Sequence, residues 1–408
     1  MTYSTADEAV VAAHRASYGR LVGWLVRRTG DVQLAEDAVA SAFAGALETW
    51  RSRGVPESTE AWLRVAARNA AVSALRRSAH TTNLDPESAD QVFATEHDHR
   101  DEAIDDERLR LMLLCAHPAI DERVHAPLML QVVLGIDAAR IASVFLVPPS
   151  TMGQRLSRAK AKISAAGLRL RELEADELPA RLDAVLRAIY AAYGLANPLH
   201  EEQTVDDDEM RAESIRLAET IVDLGGARHA EALGLLALLL LTESRRGARI
   251  VDGRFVPLTE HDVARWNAEL RRRGDDTLRL AAALAAPGRF QLEAAISAVH
   301  SGRGDSGMTE WSSIIALYRG LLELHPSIGA AIGAAAALLE IGDVEQAQRM
   351  LDDLPAEAVG AHQPYWVCRA RLAITQGDDA GRHAAAERAI GLTRHPAVRR
   401  HLIETIGP

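Results

Sequence analysis

The stretch DAARIASVFLVPPSTMGQRLSRAKAKISA, residues 137–165, has the apolar spacing of two short helices joined by a tight turn. Ala142 is a small residue where the two helices would cross, and Met152 and Leu156 continue the apolar face on the second helix. Pro149 suits the first turn of that helix, where its missing N–H leaves no hydrogen bond unmade. The pattern predicts a helix-turn-helix.

The charge of this region has one sign. Residues 138–171 contain seven basic side chains, Arg169 and Arg171 among them, and no acidic one. A helix-turn-helix with such a charge is typical of proteins that place the second helix in the major groove of DNA and the basic residues on phosphates. A basic helical hairpin that contacts no DNA would have the same pattern, so this stretch alone leaves both interpretations open.

Composition predicts a helical chain of ordinary hydrophobicity. A length of 408 residues predicts two or three domains, and an aromatic content of only 4% favours helix over sheet. The two cysteines, Cys115 and Cys368, lie far apart, and the sequence has neither a signal peptide nor an apolar run of membrane length. We therefore expect a reduced, cytoplasmic protein without a membrane segment.

The motifs of the common enzyme classes are missing from the sequence. It contains no phosphate-binding loop, no nucleophile elbow and no cluster of metal-ligand residues. We expect no enzyme, and hence no catalytic residue, metal or cofactor.

The net charge of −11 is unevenly distributed along the chain. All of it comes from residues 172–408, which hold 25 basic and 36 acidic side chains, and residues 81–109 hold ten acids against two arginines. The remainder of residues 1–171 is basic. Two basic blocks around an acidic linker, followed by an acidic domain, suit a nucleic-acid module joined to a regulatory module.

Apolar residues at helical spacing predict helices along the whole chain. The predicted amino-terminal helices span 7–29, 31–50, 60–78, 104–116 and 121–134, the last interrupted at Pro127. The third helix carries four arginines and no acid between Leu63 and Ser78, which favours a nucleic-acid contact.

The order of these pieces resembles an extracytoplasmic-function (ECF) sigma factor of bacterial RNA polymerase. The resemblance rests on GDVQLAEDAVASAFAGALETW, AWLRVAARNAAVSALRR, an acidic linker, LRLMLLCAHPAI and FLVPPSTMGQRLSRAKAKI, and it covers residues 7–170. The continuation, with ELPARLDAVLRAIYAAY, LALLLLTESRRGARI and FVPLTEHDVARWNAEL, resembles the subgroup with a long carboxyl-terminal helical extension.

The resemblance implies an all-α fold of two small sigma domains and a helical-repeat domain. Residues 1–80 would be sigma region 2, which binds core polymerase and the −10 element, and 81–103 would be an acidic linker. Residues 104–171 would be sigma region 4, whose helix-turn-helix binds the −35 element. Residues 172–408 would be the extension, similar to tetratricopeptide (TPR) repeats from about 310.

The resemblance also implies partners and contact residues. Core RNA polymerase would be bound through its β′ clamp helices and its β flap, and promoter DNA by two sets of side chains. The polymerase set is Asp31, Glu36, Asp37, Phe43 and Trp50. The −10 set is Arg64, Arg68, Asn69, Arg76 and Arg77, with the 51–60 loop placed to receive an unstacked base. The −35 set is Ser150, Thr151, Gln154, Arg155, Arg158, Lys160 and Lys162.

The chemistry of these side chains divides the −35 set further. Gln154 can pair bidentately with adenine, and arginine with guanine, whereas Arg158, Lys160 and Lys162 suit phosphate contacts.

A repeat indicates a helical array near the carboxyl terminus. The segments Leu339–Asp343 and Ile374–Asp378 lie 35 residues apart, which is typical of TPR-like repeats. Such an array either binds a protein partner on its concave face or only braces the sigma domains. Further expectations here are separate helices at 260–273 and 277–285, and a flexible loop at 301–307.

A stand-alone helix-turn-helix regulator with a helical-repeat interaction domain is the alternative function. That interpretation gives no role to the helices between residues 31 and 78, and it would normally require a dimer.

Overall fold

The computed structural model describes residues 5–82, 92–93, 106–145, 147–166, 178–196, 205–223 and 229–407. Most of the predicted linker at 81–103 lies outside the described residues, as do Leu146, Arg169 and Arg171. The described part is all-α as predicted, apart from one two-stranded hairpin. None of its helices combines the length and hydropathy needed to cross a bilayer.

The chain divides into two compact units, which we call the amino-terminal unit, Met1–Ala191, and the carboxyl-terminal unit, Ala192–Pro408. The helices of the first unit are α1 (Ala6–Thr29), α2 (Val32–Arg53), α3 (Thr59–Thr82), α4 (Glu107–Cys115), α5 (Glu122–Val132), α6 (Ala138–Val144), α7 (Pro149–Ala165) and α8 (Leu178–Leu195), whose last turn crosses the boundary.

Local chemistry explains where these helices begin and end. The Asp31 side chain caps α2 by accepting a hydrogen bond from the Leu34 N–H, and Asp137 caps α6 in the same way. Gly30 ends α1 in the left-handed conformation, at φ 69°. Pro149 occupies the first turn of α7, so both helices of the predicted helix-turn-helix are present at the predicted positions.

Two glycines of α1 bring the segment after residue 106 very close to this helix. A Cβ at Gly19 would lie 2.3 Å from the Val133 carbonyl oxygen, and one at Gly23 would lie 2.7 Å from the Glu107 carbonyl oxygen. Beside them, Arg27 pairs with the Glu107 carboxylate at 3.0 Å. The helices of the two predicted sigma regions therefore pack into one unit, in which backbone carbonyls of the second region lie directly against α1 of the first.

The carboxyl-terminal unit is a succession of helical hairpins. Its elements are α9 (Val205–Asp223), α10 (Ala230–Ser244), β1 (Ile250–Val251), β2 (Arg254–Phe255), α11 (Ala268–Ala283), α12 (Arg289–Ser306), α13 (Trp311–Leu324), α14 (Ile328–Glu340), α15 (Val344–Asp352), α16 (Ala356–Val359), α17 (Gln363–Gln376), α18 (Asp379–Gly391) and α19 (Pro396–Thr405). The strands pair antiparallel, with Ile250 opposite Phe255.

The two copies of the 35-residue repeat make the same backbone hydrogen bond in their turns. Asp343 donates its N–H to the Leu338 carbonyl and Asp378 donates its own to the Ala373 carbonyl. Each aspartate follows a glycine with positive φ and caps the next helix, α15 or α18, with its side chain. The two hairpins α14–α15 and α17–α18 are therefore built on one repeated turn.

Three expectations about helix boundaries were wrong. Pro127 lies inside an unbroken α5, where it is buried among apolar neighbours and withdraws only one N–H from the helix. Gly274 lies within α11 rather than between two helices. The glycine is explained by packing rather than by a helix end, because a Cβ there would lie 2.7 Å from the Leu241 side chain. The 301–307 segment continues α12 to Ser306, and its Arg303 guanidinium donates to the His261 carbonyl at 2.7 Å.

The close approach at Gly19 predicts an asymmetry between two glycine-to-alanine substitutions in neighbouring helices. Gly19→Ala should lower the free energy of unfolding by about 2 kcal/mol or more, because its methyl group overlaps a backbone carbonyl that cannot move alone. Gly45→Ala in α2, where the nearest atom is 3.9 Å away, should raise it by up to about 1 kcal/mol through the lower entropy of the unfolded chain. Guanidinium unfolding of the full chain measures both, and equal effects would contradict the observed packing.

Candidate nucleic-acid interface

Helix α3 presents a polar face to solvent between Glu60 and Arg77. Its buried residues are Leu63, Ala67, Ala71 and Val72, and the helix packs on α1 and α2. The predicted −10 side chains are all exposed on the other sides: Arg64, Arg68, Asn69, Arg76 and Arg77. The structure therefore places the five on one solvent-facing helix with no acid among them.

Three arginines surround two aromatic rings at one end of this face. The Arg28 and Arg64 guanidinium carbons lie 4.7 and 4.9 Å from the centre of the Trp24 ring. The Arg68 guanidinium carbon lies 5.8 Å from the centre of the Phe93 ring. These are cation–π distances, at which the ring quadrupole holds a cation over its face.

These side chains line a cavity of about 700 Å³ that is open to solvent. Ser58, at the predicted 51–60 loop, and Glu60 also line it, and Glu60 pairs with Arg20 at 3.1 Å on the outside. The Trp24 indole N–H is buried and meets no acceptor among the described residues. The cavity is thus rich in donors and positive charge, with one carboxylate at its edge.

Helix α7 separates its side chains into two faces. Met152, Leu156, Ala159 and Ile163 are buried. Six members of the predicted −35 set point away from them: Ser150, Gln154, Arg155, Arg158 and Lys162 are exposed, and Thr151 is half-buried. These six residues lie together on the accessible side of one helix, as a groove-binding helix requires.

Lys160, the seventh member, lies elsewhere. Its Nζ pairs with the Glu36 carboxylate of α2 at 2.7 Å, and the two side chains are only 10% and 11% exposed. The Tyr18 hydroxyl also donates to Glu36. The structure thus joins a predicted phosphate contact to a predicted polymerase contact, and in this conformation neither side chain reaches an outside partner.

Burial dominates the electrostatics of this group. Removal from water raises the pKa of Glu36 above its ordinary value, although the Lys160 ammonium and the Tyr18 hydroxyl act to lower it. Burial raises the pKa of the Tyr18 hydroxyl, and the nearby Glu36 charge raises it further. A charge held here is stable only with its counter-ion in place.

The other predicted polymerase contacts have structural partners. Asp31 is the α2 cap, Phe43 is buried with its ring 4.9 Å from that of His14, and Trp50 is buried with its ring 5.6 Å from that of Trp62. Of the five, only Asp37 is exposed. It lies on an accessible stripe of α2 that sequence reasoning did not define: Gln33, Asp37, Ala40, Ser41, Ala44 and Glu48.

Trp24, Arg28 and Phe93 are site residues that sequence reasoning missed. Trp24 and Arg28 are four residues apart on α1, a spacing that puts them side by side, and Phe93 is the one aromatic residue of the acidic linker. Both signals are visible in the sequence, although neither indicates α3 as the common neighbour. Among the described residues, no group of His, Cys, Asp or Glu could hold a metal ion.

The ion pair predicts how stability depends on pH. A raised Glu36 pKa means that the contribution of this group is greatest at low pH and declines as the pH rises through the raised value. Lys160→Met removes the counter-ion of the carboxylate, so it should destabilise the chain by about 3 kcal/mol at pH 8 and by clearly less at pH 5. Unfolding in guanidinium at the two pH values measures this.

A second carboxyl substitution completes the test. Adding Glu36→Gln to Lys160→Met should recover much of the loss at pH 8, since no buried charge remains. Asp37→Asn, at an exposed carboxylate of the same helix, serves as the control and should change little. A Lys160→Met variant with the same stability deficit at both pH values would contradict the assignment.

Comparison with known proteins finds family models for two stretches of the chain. Residues 14–81 match the family model of sigma-70 region 2, and residues 181–282 match a family of unknown function, DUF6596. A protein of Rhizobium meliloti (strain 1021), described as uncharacterized, is 31% identical over 396 residues, which cover 95% of this chain and 91% of that protein. No solved structure matches. The chain therefore belongs to one family with this Rhizobium protein over nearly its full length, and the match of residues 14–81 to sigma-70 region 2 supports a sigma-70 family sigma factor.

Proposed function

We propose that the chain is an ECF-type sigma factor, which binds core RNA polymerase and directs it to promoters. The observation that carries the proposal is the pair of exposed basic helix faces, on α3 and α7, in a unit whose first three helices match sigma-70 region 2. An enzyme is not proposed, because sigma-70 factors select promoters and leave the chemistry to the polymerase.

In this proposal, α3 contacts the −10 element. Its exposed arginines would neutralise phosphates, and Asn69 between them has an amide able to pair with a base edge. The cavity beside Arg64 and Arg68 is large enough for an unstacked base, whose extraction from the duplex is part of promoter opening.

Helix α7 contacts the −35 element as the recognition helix of a helix-turn-helix. Gln154 and Arg155 lie near its amino-terminal end, where a recognition helix approaches base edges. Arg158 and Lys162, one and two turns further on, would contact phosphate.

The accessible stripe of α2 contacts the polymerase and would lie against the β′ clamp helices. The second sigma region would bind the β flap. The stripe carries Asp37 and Glu48 on either side of Ala40, Ser41 and Ala44. Small side chains at its centre permit a close approach by another helix, and the carboxylates favour a basic partner.

The carboxyl-terminal unit is proposed to be a TPR-like array that binds a protein partner. The repeated turn at Asp343 and Asp378 supports this, as does a cavity of about 280 Å³ between α13, α14 and α15, lined by Ile315, Leu338 and Met350.

Simultaneous binding of both promoter elements requires the amino-terminal unit to open. Elements centred at −10 and −35 lie about 25 base pairs apart, which is roughly 85 Å of B-form DNA. A compact unit of this length is only roughly 40 Å across. The 23 residues from 83 to 105 can reach roughly 75 Å when extended. The contact between α2 and α7 would therefore be given up when both elements are bound.

Run-off transcription with purified bacterial core polymerase and genomic fragments tests the function. Addition of the chain should create new start sites, and the chain alone should bind promoter duplex poorly. Tight binding to duplex without polymerase, and no new start sites, would favour the stand-alone regulator instead.

Two substitutions on α7 should separate base reading from phosphate contact. Gln154→Ala should reduce use of a mapped promoter about tenfold and relax the preference at one base pair, because a bidentate base contact is lost. Lys162→Ala should weaken all promoters alike and reduce the salt dependence of holoenzyme binding by about one unit of slope. Ser157→Ala, on the exposed side of the same helix, is the control. Identical effects of the first two on every promoter would contradict the division of roles.

A further inference from the structure

Phe93 belongs to the linker between the proposed promoter-binding regions, yet it is part of the α3 site. It lies between the end of α3 at Thr82 and the start of α4 at Glu107, and only it and Val92 are described within 83–105. Phe93 is 5% exposed, and the centre of its ring lies 5.8 Å from that of Trp24, with the two ring planes tilted by 45°. The linker is therefore anchored at the arginine-rich end of α3.

Phe93 bounds the cavity rather than filling it. With the ring in place the cavity still measures about 700 Å³, well within the range of sites that enclose a small organic ligand. A single nucleotide fits in such a space. Phe93 and Trp24 form apolar walls, and the Arg28, Arg64 and Arg68 guanidinium groups lie over those walls. A base that stacks on Phe93 would therefore displace the Arg68 guanidinium from the ring face, where that group could instead contact the phosphate.

This combination is the chemistry of a single-strand site. Aromatic side chains stack on unpaired bases, arginine planes add cation–π and phosphate contacts, and neither requires a particular base. The one carboxylate of the lining, Glu60, already pairs with Arg20. The buried Trp24 N–H is a further donor without an acceptor among the described residues.

We propose that Phe93 is a base-stacking residue, which completes from the linker a pocket for one unpaired base of the promoter's single strand. The proposal rests on the proposed sigma function and adds to it a residue outside the stretch that matches sigma-70 region 2, which ends at 81. It also places the linker in direct contact with the opened strand, so that the linker's position depends on whether the pocket is filled.

The test measures what one base contributes with and without the Phe93 ring. Holoenzyme is bound to single non-template strands of a promoter mapped by run-off transcription, each with one abasic nucleotide, moved position by position through the −10 element. Phe93→Leu retains apolar contact with Trp24 but has no ring face, and Phe93→Ala removes both. Val92→Ala, an apolar truncation at the neighbouring and only half-buried linker position, is the matched control.

For the wild-type chain, one abasic position should weaken binding about tenfold, the magnitude expected for a lost stacking contact. With Phe93→Leu, the intact strand should bind more weakly, and the abasic penalty at that one position should fall below about threefold while the others persist. Val92→Ala should retain the wild-type abasic penalty, because it leaves the ring in place. This joint pattern would support the proposal.

Other patterns overturn it. An unchanged abasic penalty in Phe93→Leu would show that the ring does not stack on a base. Tighter binding by Phe93→Leu and Phe93→Ala would show that the ring occupies the place of the base instead. If wild-type holoenzyme bound none of these strands, the proposed sigma function would fail first, and the Phe93 proposal with it.

Discussion

The buried pair of Glu36 and Lys160 links the two halves of the amino-terminal unit. Two charges that are about nine-tenths buried are tolerated only together, because either one alone would have lost its water without gaining a counter-ion. The pair therefore specifies one arrangement of α2 against α7 rather than any apolar contact between them. Gly19 and Gly23 let backbone carbonyls approach α1 closely, so steric fit restricts the arrangement as well.

This arrangement leaves the proposed binding faces accessible but holds them close together. The exposed sides of α2, α3 and α7 are all outside the buried contact, so each could meet its partner singly. The two promoter elements, however, are separated by about twice the width of a compact unit of this size. In this account the closed packing is the form of the free chain, and binding energy from polymerase and promoter replaces the ion pair. Phe93 would then keep the linker at the −10 site while the rest of it extends.

Local patterns predicted most helices and the division of α7 into a buried and an exposed side, because helical periodicity and capping depend on neighbours within a few residues. The burial of Lys160 depends on its ion pair with Glu36, which is far away in the sequence. A local sequence pattern cannot predict such a partner. One hint was present: Lys160 lies four residues after Leu156 and three before Ile163, on the apolar stripe of α7. Gly274 was likewise predicted to lie at a helix end, because the residue that requires a glycine there, Leu241, belongs to a different helix and is not a neighbour in sequence.

The distance between α1 and α7 tests this account most directly. Spin labels at Val11→Cys and Ala161→Cys occupy exposed positions outside the proposed contacts, while both native cysteines are buried. Double electron–electron resonance on the free chain should give one narrow distance below roughly 40 Å, the width of the unit. With holoenzyme on a promoter, that distance should be replaced by a longer one beyond this width. An unchanged short distance in a complex that initiates transcription would contradict the opening of the unit.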